Sequence, residues 1–165
     1  MKIVNQDENC MTIFLNKYYI RDLNFDIKHD LESYFKNLFL KLKRYYDINI
    51  SGYYNIDVYV DDNYGLIMNL SKEDIEYYDY FDNQIDMRIT IKNNKFLYCV
   101  GDPFIFNIKS DYLIYWFKNK YYIDLTNNIN EFDIINLMEY ADIIYNEEID
   151  NIRNSKIIQS NKNVL

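Results

Sequence analysis

"YNIDVYVDDNYGLIMNL", residues 54–70, decides the fold class. Ile56, Val58 and Val60 fall on one side of an extended chain, and Asp57 and Tyr59 on the other. That period of two is the strand period. "DDNYG" then supplies a turn, in which Asn63 and Gly65 tolerate positive φ. Leu66, Met68 and Leu70 return on a matching apolar face. The stretch predicts two antiparallel strands with one face turned to a core.

The segments around it extend the pattern. "MKIVNQDENCMTIFLNKYYI", residues 1–20, predicts a strand or hairpin around the polar "NQDEN". Residues 24–47, "NFDIKHDLESYFKNLFLKLKRYYD", place Ile27, Leu31, Tyr34, Phe35, Leu38, Phe39, Leu42 and Tyr45 at steps of three and four. That spacing predicts a helix with one apolar stripe, capped by Asp26 or Asp30. "DMRITIKNNKFLYCV", residues 86–100, predicts a second hairpin turning at Asn93-Asn94 and closed by Gly101-Asp102-Pro103. "DYLIYWFKNKYYIDL", residues 111–125, predicts a third, turning near Lys118-Asn119. In residues 127–150, Ile134, Leu137, Met138, Ala141, Ile144 and Tyr145 share helical spacing, and Asn128 with Glu131 resembles a capping box. Residues 151–165 show no pattern and are expected to fray. "FLNKYYI" at 14–20 returns as "FKNKYYI" at 117–123, as a duplicated strand-then-helix unit or by chance in so biased a composition.

The expected whole is an α+β fold in one domain over 1–150: a mostly antiparallel sheet built from hairpins, with two helices packed on one face. At 165 residues, about half of them apolar, the chain can bury one core. The formal net charge is −8. Such a field repels nucleic acid and anionic membrane surfaces, so neither is expected as a partner. The densest cationic run, Lys41, Lys43 and Arg44, ends the first predicted helix, where cations complement the helix dipole. No apolar run reaches the roughly 20 residues of a membrane-spanning helix. Cys10 and Cys99 stand far apart without a CxxC spacing, and no secretory leader opens the chain, so reduced thiols and a cytoplasmic location are expected.

Catalytic chemistry finds little support in the residues. The one histidine, His29, lies between Lys28 and Asp30 on a predicted helix and reads as a solvated side chain. Gly52, Gly65 and Gly101 fit neither GxGxxG nor a P-loop. "DDNYGLIMNLSKED" has the flavour of a calcium loop, but Leu66, Met68 and Leu70 suit strand packing better. Asp61 and Asp62 are turn residues before they are an acid/base pair. No catalytic residue, metal ligand or cofactor is therefore expected.

An interaction surface has a clearer candidate. "EDIEYYDYFDNQID", residues 73–86, concentrates acids and aromatics. Tyr77, Tyr78, Tyr80 and Phe81 have the area and polar tips of interface anchors, and Asp79 and Asp82 would speed encounter with a basic partner. The competing reading is a loop whose rings tuck beneath it.

Three quoted segments also carry a resemblance. "TIFLNKYYIRDLNFD", the helix containing "YFKNLFLKL", and "ISGYYNIDVYVDDNYGLIMNL" resemble the strand, "D..FD" step, "LF"-bearing helix and strand–"D.GL"–strand of MecA-type adaptor proteins. "YLIYWFKNKYYIDL" and "IINLMEYADII" resemble a strand and helix of that family's C-terminal part. "SKEDIEYYDYFDNQID" stands where the family has a long acidic linker. The resemblance implies recruitment of client proteins to a Clp-type unfoldase. The expected function is thus a small acidic protein-binding adaptor or regulator whose partner is a protein with a basic surface. The alternative is an immunity- or antitoxin-type inhibitor, or a DNA-mimic inhibitor, that blocks a basic site on its target.

Overall fold

The structure, a computed structural model, describes residues 1–7, 9–20, 28–46, 52–73, 85–93 and 95–161. Its elements are β1 (Lys2–Asn5), β2 (Cys10–Asn16), α1 (Lys28–Tyr46), β3 (Gly52–Asp61), β4 (Gly65–Glu73), β5 (Ile85–Asn93), β6 (Leu97–Val100), β7 (Tyr112–Phe117), β8 (Lys120–Leu125), α2 (Glu131–Tyr140), β9 (Asp142–Ile144), α3 (Glu148–Arg153) and β10 (Lys156–Asn161). The α+β class is as expected, but the strands form two five-stranded sheets rather than one. They belong to two compact units, Met1–Val60 with Gly65–Lys92 and Asp61–Tyr64 with Asn93–Leu165.

The first sheet runs β1-β2-β4-β3-β5. β2 pairs antiparallel with β1 on one side and with β4 on the other. Period-two alternation delivers Ile13 and Leu15 of β2, Ile56 and Val58 of β3, and Leu66, Met68 and Leu70 of β4 to one core. α1 completes it with Leu31, Phe35, Leu38, Phe39 and Leu42, the stripe read from the spacing. Tyr45 departs from that stripe and is exposed on the last turn. Asp30 falls inside α1 rather than capping it, and Asp26 lies outside the described residues. Gly65, at φ +130°, occupies a conformation that side chains resist and lies against the backbone of Asn16 and Lys17.

The second sheet runs β10-β7-β8-β6-β9, with every neighbouring pair antiparallel. The third predicted hairpin is present, and Lys118 and Asn119 both take positive φ in its turn. The second is not. β5 lies beside β3 in the first sheet, whereas β6 pairs with β8 and β9 in the second. Burial explains the divorce. "LYCV" is buried on both faces and needs two strand neighbours, while β5 alternates and suits a sheet edge.

The last predicted helix is likewise divided. α2 stops at Ala141, which turns extended, and the next residues become β9, placing Ile144 opposite Leu97. Ile144 and Tyr145 therefore leave the helix. Asn130 caps α2, not Asn128: its side chain accepts from the N–H of Phe132, while Asn128 takes positive φ and donates to Asp111. The described part of the tail expected to fray, up to Asn161, forms α3 and β10. Ile149 and Ile152 of α3 pack beside Leu97, Cys99, Tyr115 and Tyr122, and β10 pairs with β7 through a bulge near Ile158. Its order rests on that long-range ladder, which leaves no periodic trace in the sequence. No helix among the described residues is long and apolar enough to cross a membrane.

Candidate protein-binding site

The second unit carries a groove between α2 and the segment that follows β6. Local chemistry fixes both walls. Asp102 accepts from the N–H of Phe104 at 2.9 Å and caps a single 3₁₀ turn, Pro103–Ile105, whose proline is buried. The chain then runs beside α2 as far as Ser110. There Asp133 binds it: one carboxylate oxygen accepts from the N–H of Lys109 at 3.0 Å, the N–H of Ser110 at 2.7 Å and the hydroxyl of Ser110 at 2.5 Å. Ser110 Oγ in turn accepts at 2.9 Å from the N–H of Asn130, the cap of α2. Asp133 and Ser110 are both buried, so these bonds act in a low dielectric and fix the walls firmly.

The groove so formed encloses about 270 Å³ and is lined by Ile105, Phe106, Ile108, Asn136, Leu137 and Tyr140. The rings of Phe106 and Tyr140 lie 6.5 Å apart across it. Its rim is unusually apolar for a surface. Ile105 is 72% exposed and Tyr140 67%, and Phe104, next to Ile105, is 60% exposed; Phe132 and Ile135 are also exposed, on a face of α2 away from the groove. Phe104 also meets Tyr121 at 6.3 Å, and Tyr121 meets Trp116 at 4.5 Å, which extends the aromatic surface onto the sheet. The exposed acids Asp102, Glu131 and Glu139 lie on the same two segments but not in its lining, and α2 itself carries no Lys or Arg. A preformed concave site with apolar walls and a few fixed polar groups is the usual form of a binding site.

Other buried polar groups of this unit are occupied with holding the fold. Asp61 accepts from the N–H groups of Asn63, Tyr64 and Phe96. Asp124 pairs with Arg153 at 2.9 Å, and Arg153 reaches the carbonyl of Lys95. Burial pushes the Asp124 carboxyl above the usual carboxylate range, with Arg153 pulling the other way. Burial also raises the hydroxyls of Tyr64 and Tyr98. Both thiols, Cys10 and Cys99, are raised chiefly by desolvation, which keeps them protonated and weakly nucleophilic. Among the described residues no group of three or more His, Cys, Asp and Glu could hold a metal ion.

The acidic-aromatic residues singled out in the sequence, Tyr77, Tyr78, Asp79, Tyr80, Phe81 and Asp82, lie outside the described residues. So do the surroundings of the His29 side chain, although His29 falls on α1. Lys41, Lys43 and Arg44 are exposed on the last turns of α1. The groove escaped the sequence reading: its residues on α2 are Asp133, Asn136, Leu137 and Tyr140, of which only Leu137 falls on the apolar row, and its other wall comes from an aperiodic segment. Comparison of the chain with protein-family models, with curated proteins and with solved structures finds no match.

Proposed function

We propose that this chain is a protein-binding adaptor and that the groove beside α2 receives its partner. One observation carries the reading: Ile105 and Tyr140, both largely exposed, line a preformed groove together with Phe106 and Ile108. Contiguous apolar surface with a polar rim is what interaction sites present, while scattered single side chains mean little. The rings of Phe106 and Tyr140 supply anchors of the kind that dominate binding energy, and the net charge of −8 favours a basic partner over an acidic one. The resemblance to MecA-type adaptors supports the same class of role, with client recruitment to an unfoldase as its most specific form.

A photo-crosslinking amino acid placed at Asn136, an exposed residue of the groove's lining, in the full chain in its native cell tests this. The expected result is one dominant adduct, lost when Tyr140→Ala is added and missing when the crosslinker stands instead at Asn151, an exposed position on α3. Equal adducts from both positions, or an adduct indifferent to Tyr140→Ala, would sink the assignment of the groove.

A further inference from the structure

We infer that the chain pairs with a second copy of itself through β5, joining the first sheets of the two copies edge to edge. This surface belongs to the first unit and is independent of the groove beside α2.

The backbone supplies the first argument. β5 ends the sheet β1-β2-β4-β3-β5, so one of its edges meets β3 and the other meets no strand. At 9 residues it is a long edge, and it contains no proline. Alternate residues of such a strand turn N–H and C=O groups outward, where they template another strand. Among the described residues, no segment beyond the sheet hydrogen-bonds to residues 86–92. The N–H of Met87 is bonded to the neighbouring Asp86 carboxylate at 2.8 Å, a local acceptor rather than a strand.

The side chains select the strand that fits. Asp86, Arg88, Thr90 and Lys92 alternate with Met87, Ile89 and Ile91. Met87 is buried in the core and Ile89 packs against it, whereas Ile91 is exposed. A second copy related by a two-fold axis perpendicular to the sheet pairs antiparallel and keeps apolar residues opposite apolar ones. Three such registers overlap five or more of residues 86–92. Centred on Arg88, the pairing sets Arg88 against itself. Centred on Thr90, it sets Arg88 against Lys92. Centred on Ile89, it sets Asp86 against Lys92, Met87 against Ile91 and Arg88 against Thr90, each twice, with Ile89 beside its own copy. This last register overlaps the whole of 86–92, joins opposite charges at both ends and covers Ile91. Opposite charges directly across two strands stabilise and like charges destabilise, so the pattern selects it.

Any extended chain can meet an open edge, but β5 is complementary to itself, which favours a second copy. Residues 86–92 hold Arg88 and Lys92 against Asp86, so the chain's net charge of −8 is not gathered here. The paired strands run about 23 Å and exchange roughly six to eight backbone hydrogen bonds. So narrow a contact is small for a specific interface, and the dimer should be weak, with a dissociation constant on the order of 10 μM.

Sedimentation equilibrium of the full chain, from about 1 to about 300 μM, tests this and should show a monomer–dimer equilibrium. Asp86→Lys alone, or Lys92→Glu alone, sets like charges opposite each other at both ends and should weaken the dimer about tenfold. The double variant swaps the charges and should restore it to within about threefold. Asp86→Lys changes an exposed side chain and leaves the contact of Lys92 with the Tyr59 ring in place, and far-ultraviolet circular dichroism verifies the fold of each variant. With oxidised glutathione, Ile89→Cys should form a disulfide with its own copy, located by peptide mapping. Ile91→Cys, which lies opposite Met87 of the second copy, should not.

A chain that stays monomeric at about 300 μM overturns the inference. A dimer indifferent to both charge reversals, or not restored by the swap, overturns it too, as does Ile91→Cys bridging as readily as Ile89→Cys. A crosslinker at Thr90 that joins the native chain to a different protein, with no link between copies, assigns the edge to that protein and refutes the second copy.

Discussion

Asp133 of α2 and Ser110 share two hydrogen bonds through a single carboxylate oxygen, at 2.5 Å to the hydroxyl and 2.7 Å to the backbone N–H. With the N–H of Lys109, three donors converge on one buried atom. A helix of ten residues is short for independent stability, so its placement rests on such tertiary bonds and on buried Ile134 and Leu137. Asp133→Ala leaves three donors without an acceptor. It should cost about 3 kcal/mol, and Ser110→Ala about 1 kcal/mol. Urea unfolding followed through Trp116 measures both, since that ring lies in the same unit. A cost under about 1 kcal/mol for Asp133→Ala would mean that the groove's walls are held by something else.

Gly65 allows a second test, in the first unit. Its φ of +130° already excludes most side chains, and a Cβ there would stand 2.6 Å from the backbone carbon of Asn16 and from the nitrogen of Lys17. Backbone on β2 cannot swing aside as a side chain would. Gly65→Ala should therefore cost more than about 2 kcal/mol. Gly101→Ala is the control. Nothing lies within 4 Å of its added Cβ, so the change should stay within about 0.5 kcal/mol.

The buried pair of Asp124 and Arg153 makes a pH-dependent prediction. The Asp124 carboxyl is held above the usual carboxylate range by burial, and Arg153 opposes that shift. A raised folded pKa means that the fold binds this proton more tightly than the unfolded chain does. Asp124's favourable contribution is then complete below the unfolded carboxylate range and is lost as pH rises through the folded value. Arg153→Met removes the opposing cation and raises the carboxyl further. The variant should lose about 2 kcal/mol at neutral pH, because it leaves a buried charge without its partner. The loss should shrink on acidification, as the pH falls through the raised value and Asp124 takes up its proton. A deficit that grows on acidification would show the opposite sign and refute the assignment.

Much of the first unit was legible because its signals are local and periodic. The α1 stripe and the 54–70 hairpin needed only the two repeat lengths of helix and strand. "NKYYI" shows where that method ends. At 16–20 it closes β2 and forms a 3₁₀ turn, and at 119–123 it finishes a hairpin turn and becomes β8. The same five residues take two structures because their neighbours differ, not their propensities. β5 and β6 were joined for a related reason: each reads as a strand, but choice of partner is a long-range property. β10 is the extreme case, with exposed Ile157 and Ile158 and order supplied by β7. The groove was half legible. Leu137 and Tyr140 sit on a helix that the spacing showed, but the wall of Ile105, Phe106 and Ile108 comes from a segment with no periodicity.

The two rows of α2 should separate cleanly by mutation. Leu137 is fully buried and Ile134 nearly so, and each fills space that a smaller side chain would leave empty. Leu137→Ala should cost about 2–5 kcal/mol, the transfer term plus a cavity term. Phe132 and Ile135 leave most of their area in water already, so removing it from the folded state changes little. Phe132→Ser and Ile135→Ser should each stay within about 0.5 kcal/mol, while lowering the binding of a hydrophobic dye to the native chain. Urea unfolding and dye emission on the same samples read the two effects separately. If Ile135→Ser instead destabilises as much as Leu137→Ala, the outward row belongs to the core.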